Sequence, residues 1–256
     1  MTSSRIDAPG TRWALAILAH LALVLAWYLF VTLGDVPRFV MPSPGDTLRS
    51  ITIGDYGWLD NSLVTGTEIF GGYFLALFVG VALALAFTWS RTLEALMLPL
   101  LVTLNMIPKV ALGPLIIVWF KYGVLPNTMM AFSIAVFPIL LNTAKGLRET
   151  EPELLDLVRS LRGNRWQLFT KIQLPGSLPY IFAGMKVAAI LAVAGAIVGE
   201  FLGSDQGLGY LMLQVQVMLD TPAMFMAVIL ITLIGMALYG LVLLAEQLLV
   251  VKDARL

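Results

Sequence analysis

The 256-residue sequence contains no cysteine and a single histidine, His20. Without cysteine there can be no disulfide bond and no metal site built on thiolates. A lone histidine in an apolar run is interpreted as a helix-packing residue, because no second histidine is present to share a metal ion. The phosphate-binding pattern Gly-x-x-x-x-Gly-Lys-Ser/Thr is also absent from these residues. We therefore predict no metal site, no nucleotide hydrolysis by this chain and no enzymatic activity of its own.

Charged residues are scarce. They make up 12% of the sequence, whereas hydrophobic residues make up 59%. A soluble domain usually has about a quarter of its residues charged. The formal net charge is zero, which gives no indication of a nucleic-acid partner. The composition instead predicts an integral membrane protein with lipid as its surroundings.

Apolar runs long enough to cross a bilayer as helices, about 20 residues each, recur along the chain. Together they predict an all-α fold, an integral membrane helix bundle organised as a single transmembrane domain over residues 1–256. The first run is interpreted as a retained helix, because no small-x-small cleavage pattern follows it. Six membrane helices are predicted, at residues 13–33, 62–88, 95–120, 127–144, 177–202 and 223–250.

The distribution of Lys and Arg predicts the orientation of these helices. If the N-terminus is cytoplasmic, eleven basic residues fall in cytoplasmic segments and three, Arg38, Arg49 and Lys121, fall outside. Basic residues are retained on the cytoplasmic side of a membrane. Both termini and the polar stretch near the middle of the chain are therefore predicted to be cytoplasmic.

That polar stretch, "ELLDLVRSLRGNRWQLFTKIQLP" at residues 153–175, has the pattern of two short amphipathic helices. Acidic Glu153 and Asp156 stand near its start and basic Arg159 and Arg162 follow, which suits the dipole of a first helix. Gly163 and Asn164 tolerate left-handed backbone, so a turn is expected there, with a second helix from about Arg165. The apolar stripe would be covered by a groove in a cytosolic partner or by the membrane surface. Periodicity leaves both open.

The same stretch resembles the hallmark loop of permease subunits of bacterial binding-protein-dependent ABC importers with the type I import fold. In that family the loop reads Glu-Ala-Ala, three residues, Gly, nine residues, Ile, one residue, Leu-Pro. The corresponding residues here are Asp156-Leu157-Val158, Arg162, Ile172 and Leu174-Pro175. The carboxylate is kept, but the glycine has moved one place, to Gly163.

Other segments extend the resemblance over most of the chain. They resemble segments from the branch of this permease family that imports sulfonates, taurine, nitrate or the pyrimidine precursor of thiamine. They are "MPSPGDTL", "IPKVALGPLIIVWFKYG", "LPYIFAGMK" and "GEFLGSDQGLGYL".

The resemblance implies a permease of the bacterial inner membrane, a homodimer with its solute pathway at the dimer interface. An extracytoplasmic solute-binding protein would deliver the solute, and separate ABC ATPase subunits would bind ATP and Mg²⁺, leaving this chain without a cofactor. The loop at about 145–175 would form coupling helices that dock into the ATPase. The residues expected to couple are Glu153, Asp156, Arg159, Arg162, Gly163, Trp166, Ile172, Leu174 and Pro175.

Charges inside the predicted membrane helices are costly, so Lys109, Lys186 and Glu200 are candidate pathway or gate residues. Lys186 and Glu200 project about 40° apart on one helix, at about 100° per residue, and would face a common cavity or each reach water at a helix end. Lys109 lies in a run containing Pro108, Gly113 and Pro114, which predicts a break in the helix. Such a break would either line an aqueous path or bend the helix for packing. Glu68 stands where the resemblance leads us to expect a basic residue.

A glycine-rich turn and a set of small residues within the helices are also expected to have defined roles. The turn "GSDQGLGYL", with Asp205, Gly207 and Gly209, is expected near the extracellular gate, where Asp205 would touch the binding protein. The set within the helices is expected at close helix–helix contacts. Its members are Gly71, Gly72, Gly184, Ala188, Ala192, Gly195 and Gly199.

Two other functions remain compatible with the residues alone. An ion-coupled secondary transporter would use Glu200 and Lys186 as a relay, although the inverted repeats typical of such proteins are not visible. A membrane anchor would use the central hairpin to recruit a cytosolic protein without transport.

Overall fold

The computed structural model describes residues 9–53, 55–149 and 152–250, and all secondary structure in these ranges is helical. This confirms the all-α prediction. In chain order the helices are α1 (Pro9–Leu33), α2 (Pro44–Ile53), α3 (Trp58–Trp89), α4 (Arg91–Met106), α5 (Lys109–Phe120), α6 (Val124–Arg148), α7 (Pro152–Ser160), α8 (Arg165–Leu168), a π-helical turn (Phe169–Gln173), α9 (Leu174–Gly203), α10 (Leu208–Val217) and α11 (Thr221–Leu249).

Within the described ranges, five helical stretches are long and apolar enough to cross a membrane. They are Ala14–Leu33, Trp58–Trp89, Val124–Arg148, Arg165–Gly203 and Thr221–Leu249. The remaining predicted span, 95–120, is not one helix, because α4 and α5 meet at a bend of 90°. Ile107, which precedes Pro108, is extended at φ −64° and ψ 125°, as expected for a residue whose helical conformation clashes with a following proline ring. Counting the bent pair as one span restores the predicted six.

The chain divides into two compact units, the first of which combines the segment before Leu59 with Leu211–Ile229. In this unit the Trp27 ring stacks on Phe225 with centroids 5.6 Å apart, and its Nε1 donates to the Pro42 carbonyl at 3.0 Å. The Tyr56 hydroxyl donates to Asp220 at 2.6 Å, and this hydrogen bond raises the pKa of Tyr56. These contacts tie segments that are far apart in sequence.

The second unit, Leu59–Tyr210 with the chain from Leu230 onward, contains a core built on small residues. A Cβ on Gly195 would lie 2.6 Å from Ala131 Cα, and one on Gly199 would lie 2.7 Å from Asn127 Oδ1, so α9 and α6 touch backbone to backbone. Gly72 on α3 approaches the same part of α6 in the same way. The predicted close-packing set is confirmed at Gly72, Gly184, Ala188, Ala192, Gly195 and Gly199, whereas Gly71 is exposed.

Residues Arg165–Gly203 form one continuous helical stretch of 39 residues that includes α8, the π-helical turn and α9. In the π-helical turn the Leu174 N–H donates to the Phe169 carbonyl, five residues earlier. Leu174 is the first residue of α9, so Pro175 stands in its first turn, where a missing N–H is tolerated. Pro175, the last residue of the polar stretch, therefore lies in the first turn of α9 and does not interrupt the helix.

The glycine contacts predict a difference between two substitutions on α3. Gly72→Ala would place a methyl group 2.8 Å from the Thr128 carbonyl and against Ala131, whereas Gly66→Ala meets no atom within 4 Å. We expect Gly72→Ala to lower the free energy of unfolding by about 1–3 kcal/mol. We expect Gly66→Ala to be neutral or slightly stabilising, because alanine favours helix. Thermal unfolding of the purified proteins measures both, and equal midpoints would contradict the packing described here.

Candidate functional site

The mid-chain hairpin (residues 152–175) folds as two short helices joined by a tight turn. After α7 ends at Ser160, the Gly163 N–H donates to the Val158 carbonyl at 2.8 Å, and Arg162 between them is left-handed at φ 54°. This is the hydrogen bond of a Schellman motif, which closes the last turn of a helix. The chain thereby leaves α7 and enters the second arm within a few residues.

The turn differs from the sequence prediction in one respect. Arg162, rather than Gly163 or Asn164, takes the left-handed conformation, although a side chain makes it unfavourable by about 1–2 kcal/mol. Gly163 is needed for another reason, since a Cβ there would lie 2.6 Å from Val158 Cγ1. Arg162 is the position at which the resemblance expects glycine, so the turn is kept while the displaced glycine serves close packing.

The second arm begins with a capping box, which confirms a helix from Arg165. The Asn164 side chain accepts from the Gln167 N–H at 2.8 Å, and the Gln167 side chain accepts from the Asn164 N–H at 2.9 Å. Both bonds satisfy amides that a helix start leaves without partners. Sequence analysis placed this helix correctly but did not identify Gln167.

The hairpin exposes both apolar and charged groups. Leu161 is 73% exposed and Trp166 is 63% exposed, and Glu153, Asp156 and Arg162 are exposed beside them. A cavity of about 290 Å³ opens between the arms, lined by residues that include Val158, Gln167, Lys171 and Ile172. The side chain of Arg159 lies outside the described part of the structure. Such a mixed surface is suited to binding a protein groove.

All three candidate intramembrane charges have partners within the described residues. Lys109 opens α5 at the bend and its Nζ donates to the Leu104 carbonyl of α4 at 3.1 Å. Lys186 forms an ion pair with Glu246 of α11 at 3.1 Å, and the two side chains are only 18% and 7% exposed. Glu246 is not among the residues predicted from the sequence. Its position as an acidic residue inside the apolar run of α11 could have identified it as a partner for a buried lysine. Lys186 and Glu200 therefore belong to separate networks.

Glu200, near the end of α9 opposite the hairpin, is 1% exposed. Its Oε1 accepts from the Thr65 hydroxyl at 2.6 Å, and its Oε2 accepts from the N–H groups of Gly209 and Tyr210. Thr65 also accepts from the Leu208 N–H at 2.8 Å. The first amides of α10 are thus held by side chains of α3 and α9, where the helix dipole favours a negative charge.

The turn before α10 has a backbone that requires glycine. Gly207 has a φ of 106°, and a Cβ there would lie 2.6 Å from Glu200 Oε1. A Cβ on Gly209 would lie 2.9 Å from Glu200 Oε2. Gly207 also donates its N–H to the Asn61 side chain at 2.8 Å, while Asp205 is exposed on the turn. The structure therefore groups Glu200, Gly207 and Gly209 in one site with Asp205 at its surface.

Comparison with known proteins finds relatives among transport proteins. The family model described as "Binding-protein-dependent transport system inner membrane component" matches residues 72–251. A probable ABC transporter permease protein of Haemophilus influenzae is 34% identical over 85% of this chain and 89% of its own length. The riboflavin transport system permease protein of Chloroflexus aurantiacus is 36% identical over 91% and 87%. The formylaminopyrimidine transport permease protein of Halalkalibacterium halodurans is 31% identical over 85% and 87%.

The family match, the apolar helices and the hairpin agree with one another. The chain belongs to the inner membrane components of binding-protein-dependent transport systems, and it is the permease subunit of an ABC importer, a multi-pass protein of the inner membrane.

Proposed function

We propose that the hairpin is the coupling element through which two cytosolic ATPase subunits drive a permease homodimer. The observation that carries this proposal is the continuous helix from Arg165 to Gly203. It links the exposed hairpin to the Glu200 site over roughly 50 Å, at about 1.5 Å per residue. A force applied to the hairpin therefore has an uninterrupted helical path to the opposite end of the bundle.

The proposed mechanism uses ATP only on the partner subunits. ATP and Mg²⁺ bind the ATPases, whose closure displaces the docked hairpins and with them α9. Because ATP contacts the open and closed ATPase arrangements differently, its binding biases the permease between inward-facing and outward-facing states. This chain contributes the coupling surface and the pathway, and it carries no cofactor.

The orientation proposed for this mechanism follows from the basic residues. Lys145 and Arg148 precede the hairpin and Arg165 lies within it, and by the positive-inside rule they are cytoplasmic together with both termini. The basic residues at the chain ends, Arg5, Lys252 and Arg255, lie outside the described residues. The turn at 204–210 then faces outward, where Asp205 would contact the solute-binding protein.

The solute is proposed to be a small polar nutrient delivered by that binding protein. Relatives named for riboflavin and formylaminopyrimidine transport are 36% and 31% identical, whereas one named for aliphatic sulfonates is 25% identical, which favours a heterocyclic compound over a sulfonate. An ion-coupled transporter and a simple anchor receive no support from these relatives.

Substitutions that change the charge of the hairpin surface test the coupling role. Asp156→Lys and Leu161→Asp place new charges on the exposed surface, so we expect at least about tenfold weaker co-purification of the ATPase and loss of ATP-dependent uptake in proteoliposomes. Asp205→Lys, an equally exposed reversal at the opposite end, is the matched control. The Asp205→Lys variant should still co-purify with the ATPase, but the binding protein should no longer stimulate its ATP-dependent uptake. Unchanged ATPase retention in both hairpin variants would refute the proposed docking surface.

The turn itself provides a second prediction. Arg162→Gly relieves a left-handed arginine and should stabilise the hairpin by about 1 kcal/mol, whereas Gly163→Ala forces a methyl group against Val158 and should destabilise it. Hydrogen exchange of the α7 amides measures both effects. Exchange should slow in the first variant and accelerate in the second. Faster exchange in Arg162→Gly would contradict the turn geometry.

A further inference from the structure

Glu68 of α3 lies beside Glu200 of α9 in the interior of the second unit. The two residues are 0% and 1% exposed, and both belong to membrane-spanning helices. An ionised carboxylate inside a membrane is costly, and two in contact repel each other in addition. The pair therefore needs a physical explanation that neither the family nor the coupling mechanism supplies.

The hydrogen bonds of the two carboxyl groups are unequal. Glu200 accepts from one hydroxyl and two backbone N–H groups, using both oxygens. Glu68 Oε1 accepts from Asn127 Nδ2 at 2.8 Å, but Glu68 Oε2 is buried without a donor from the described residues. Besides Asn127, the Glu200 carboxyl group lies within hydrogen-bonding reach of Glu68.

Two ionised carboxylates can only accept hydrogen bonds, so they cannot bond to each other. One proton between them converts the repulsion into a short O–H···O⁻ hydrogen bond, which is among the stronger kinds. The donors around Glu200, including the start of α10, stabilise the negative charge on that residue. The proton is therefore better placed on Glu68, where it gives the buried Oε2 atom a partner.

We propose that Glu68 and Glu200 form a proton-binding site, in which Glu68 carries the proton on Oε2 and donates it to the Glu200 carboxylate. Through Glu200 this hydrogen bond joins α3, α9 and the first turn of α10. Among the described residues, the groups that hydrogen-bond to the pair from the surrounding elements are neutral: Thr65 from α3, Asn127 from α6 and the backbone amides of Gly209 and Tyr210.

The site also bears on transport, and this part rests on the proposed function. If the 204–210 turn moves when the outer end opens, the Glu68–Glu200 hydrogen bond must break or move with it. Glu68 is then a positioning residue for the turn, acting through Glu200.

Infrared difference spectroscopy of the purified permease–ATPase complex in lipid tests the proton directly. Wild type at neutral pH should show the carbonyl-stretching band of a protonated, buried carboxylic acid. The band should vanish in Glu68→Gln and shift in Glu200→Gln, because the latter changes only the acceptor. Glu94→Gln is the control, since the Glu94 carboxylate pairs with Arg148, and it should leave the band unchanged. A wild-type spectrum without the band, or a band that survives in Glu68→Gln, overturns the proposal.

Uptake measurements separate the proton site from the transport mechanism. The side-chain amide that Glu68→Gln introduces can still donate to Glu200, so uptake should stay within about twofold of wild type. Glu68→Leu removes the donor and should reduce uptake by at least about tenfold while the complex still assembles. Equal uptake in the two variants would contradict the positioning role. Absence of ATP-driven uptake in wild type, with the infrared band present, would refute the proposed function and leave the proton site standing.

Discussion

Close packing of helix backbones at glycine and alanine holds the bundle of the second unit together. Lipid offers no hydrophobic driving force for association between apolar helices, so contact must come from van der Waals packing at short range. On α9, Gly184, Gly195 and Gly199 bring the helix against α6 with no room for a Cβ atom. This packing fixes the position of α9 against α6, and with it the partners of Lys186 and Glu200 on other helices.

Two buried polar networks lie along this one helix. Lys186 pairs with Glu246 of α11, and nearer the far end Glu200 binds Thr65 and the start of α10. Removing one partner of a buried ion pair leaves an uncompensated charge, which costs about 3–5 kcal/mol. Movement of α9 must therefore carry these partners with it or exchange them for others, which restricts the helix to a few discrete arrangements rather than a continuum.

The sequence predicts the helices and the hairpin well, because hydropathy and helical periodicity are local properties. The start of the second arm at Arg165 and the first turn of α9 at Pro175 follow from the same local signals. The predictions failed where distant segments decide. Glu246 as the partner of Lys186 depends on how α9 and α11 pack. The left-handed Arg162 is a local exception, because the composition of the turn favours Gly163 or Asn164 for that conformation. The break at Ile107–Pro108 is indicated by proline, but its 90° angle is not.

In the proposed mechanism, Arg165–Gly203 moves as one rigid helix. Because the sequence contains no cysteine, single labels can be introduced at the exposed residues Trp166 and Ile190 without removing others. Pulsed electron paramagnetic resonance should give a distance of roughly 36 Å between labels at residues 166 and 190 of one helix, at about 1.5 Å per residue, in both nucleotide-free and ATP-bound complexes. The distance between the two Trp166 positions of a dimer should change between these states. A change in the intrahelical distance on ATP binding would show that the π-helical turn bends, and would contradict the account.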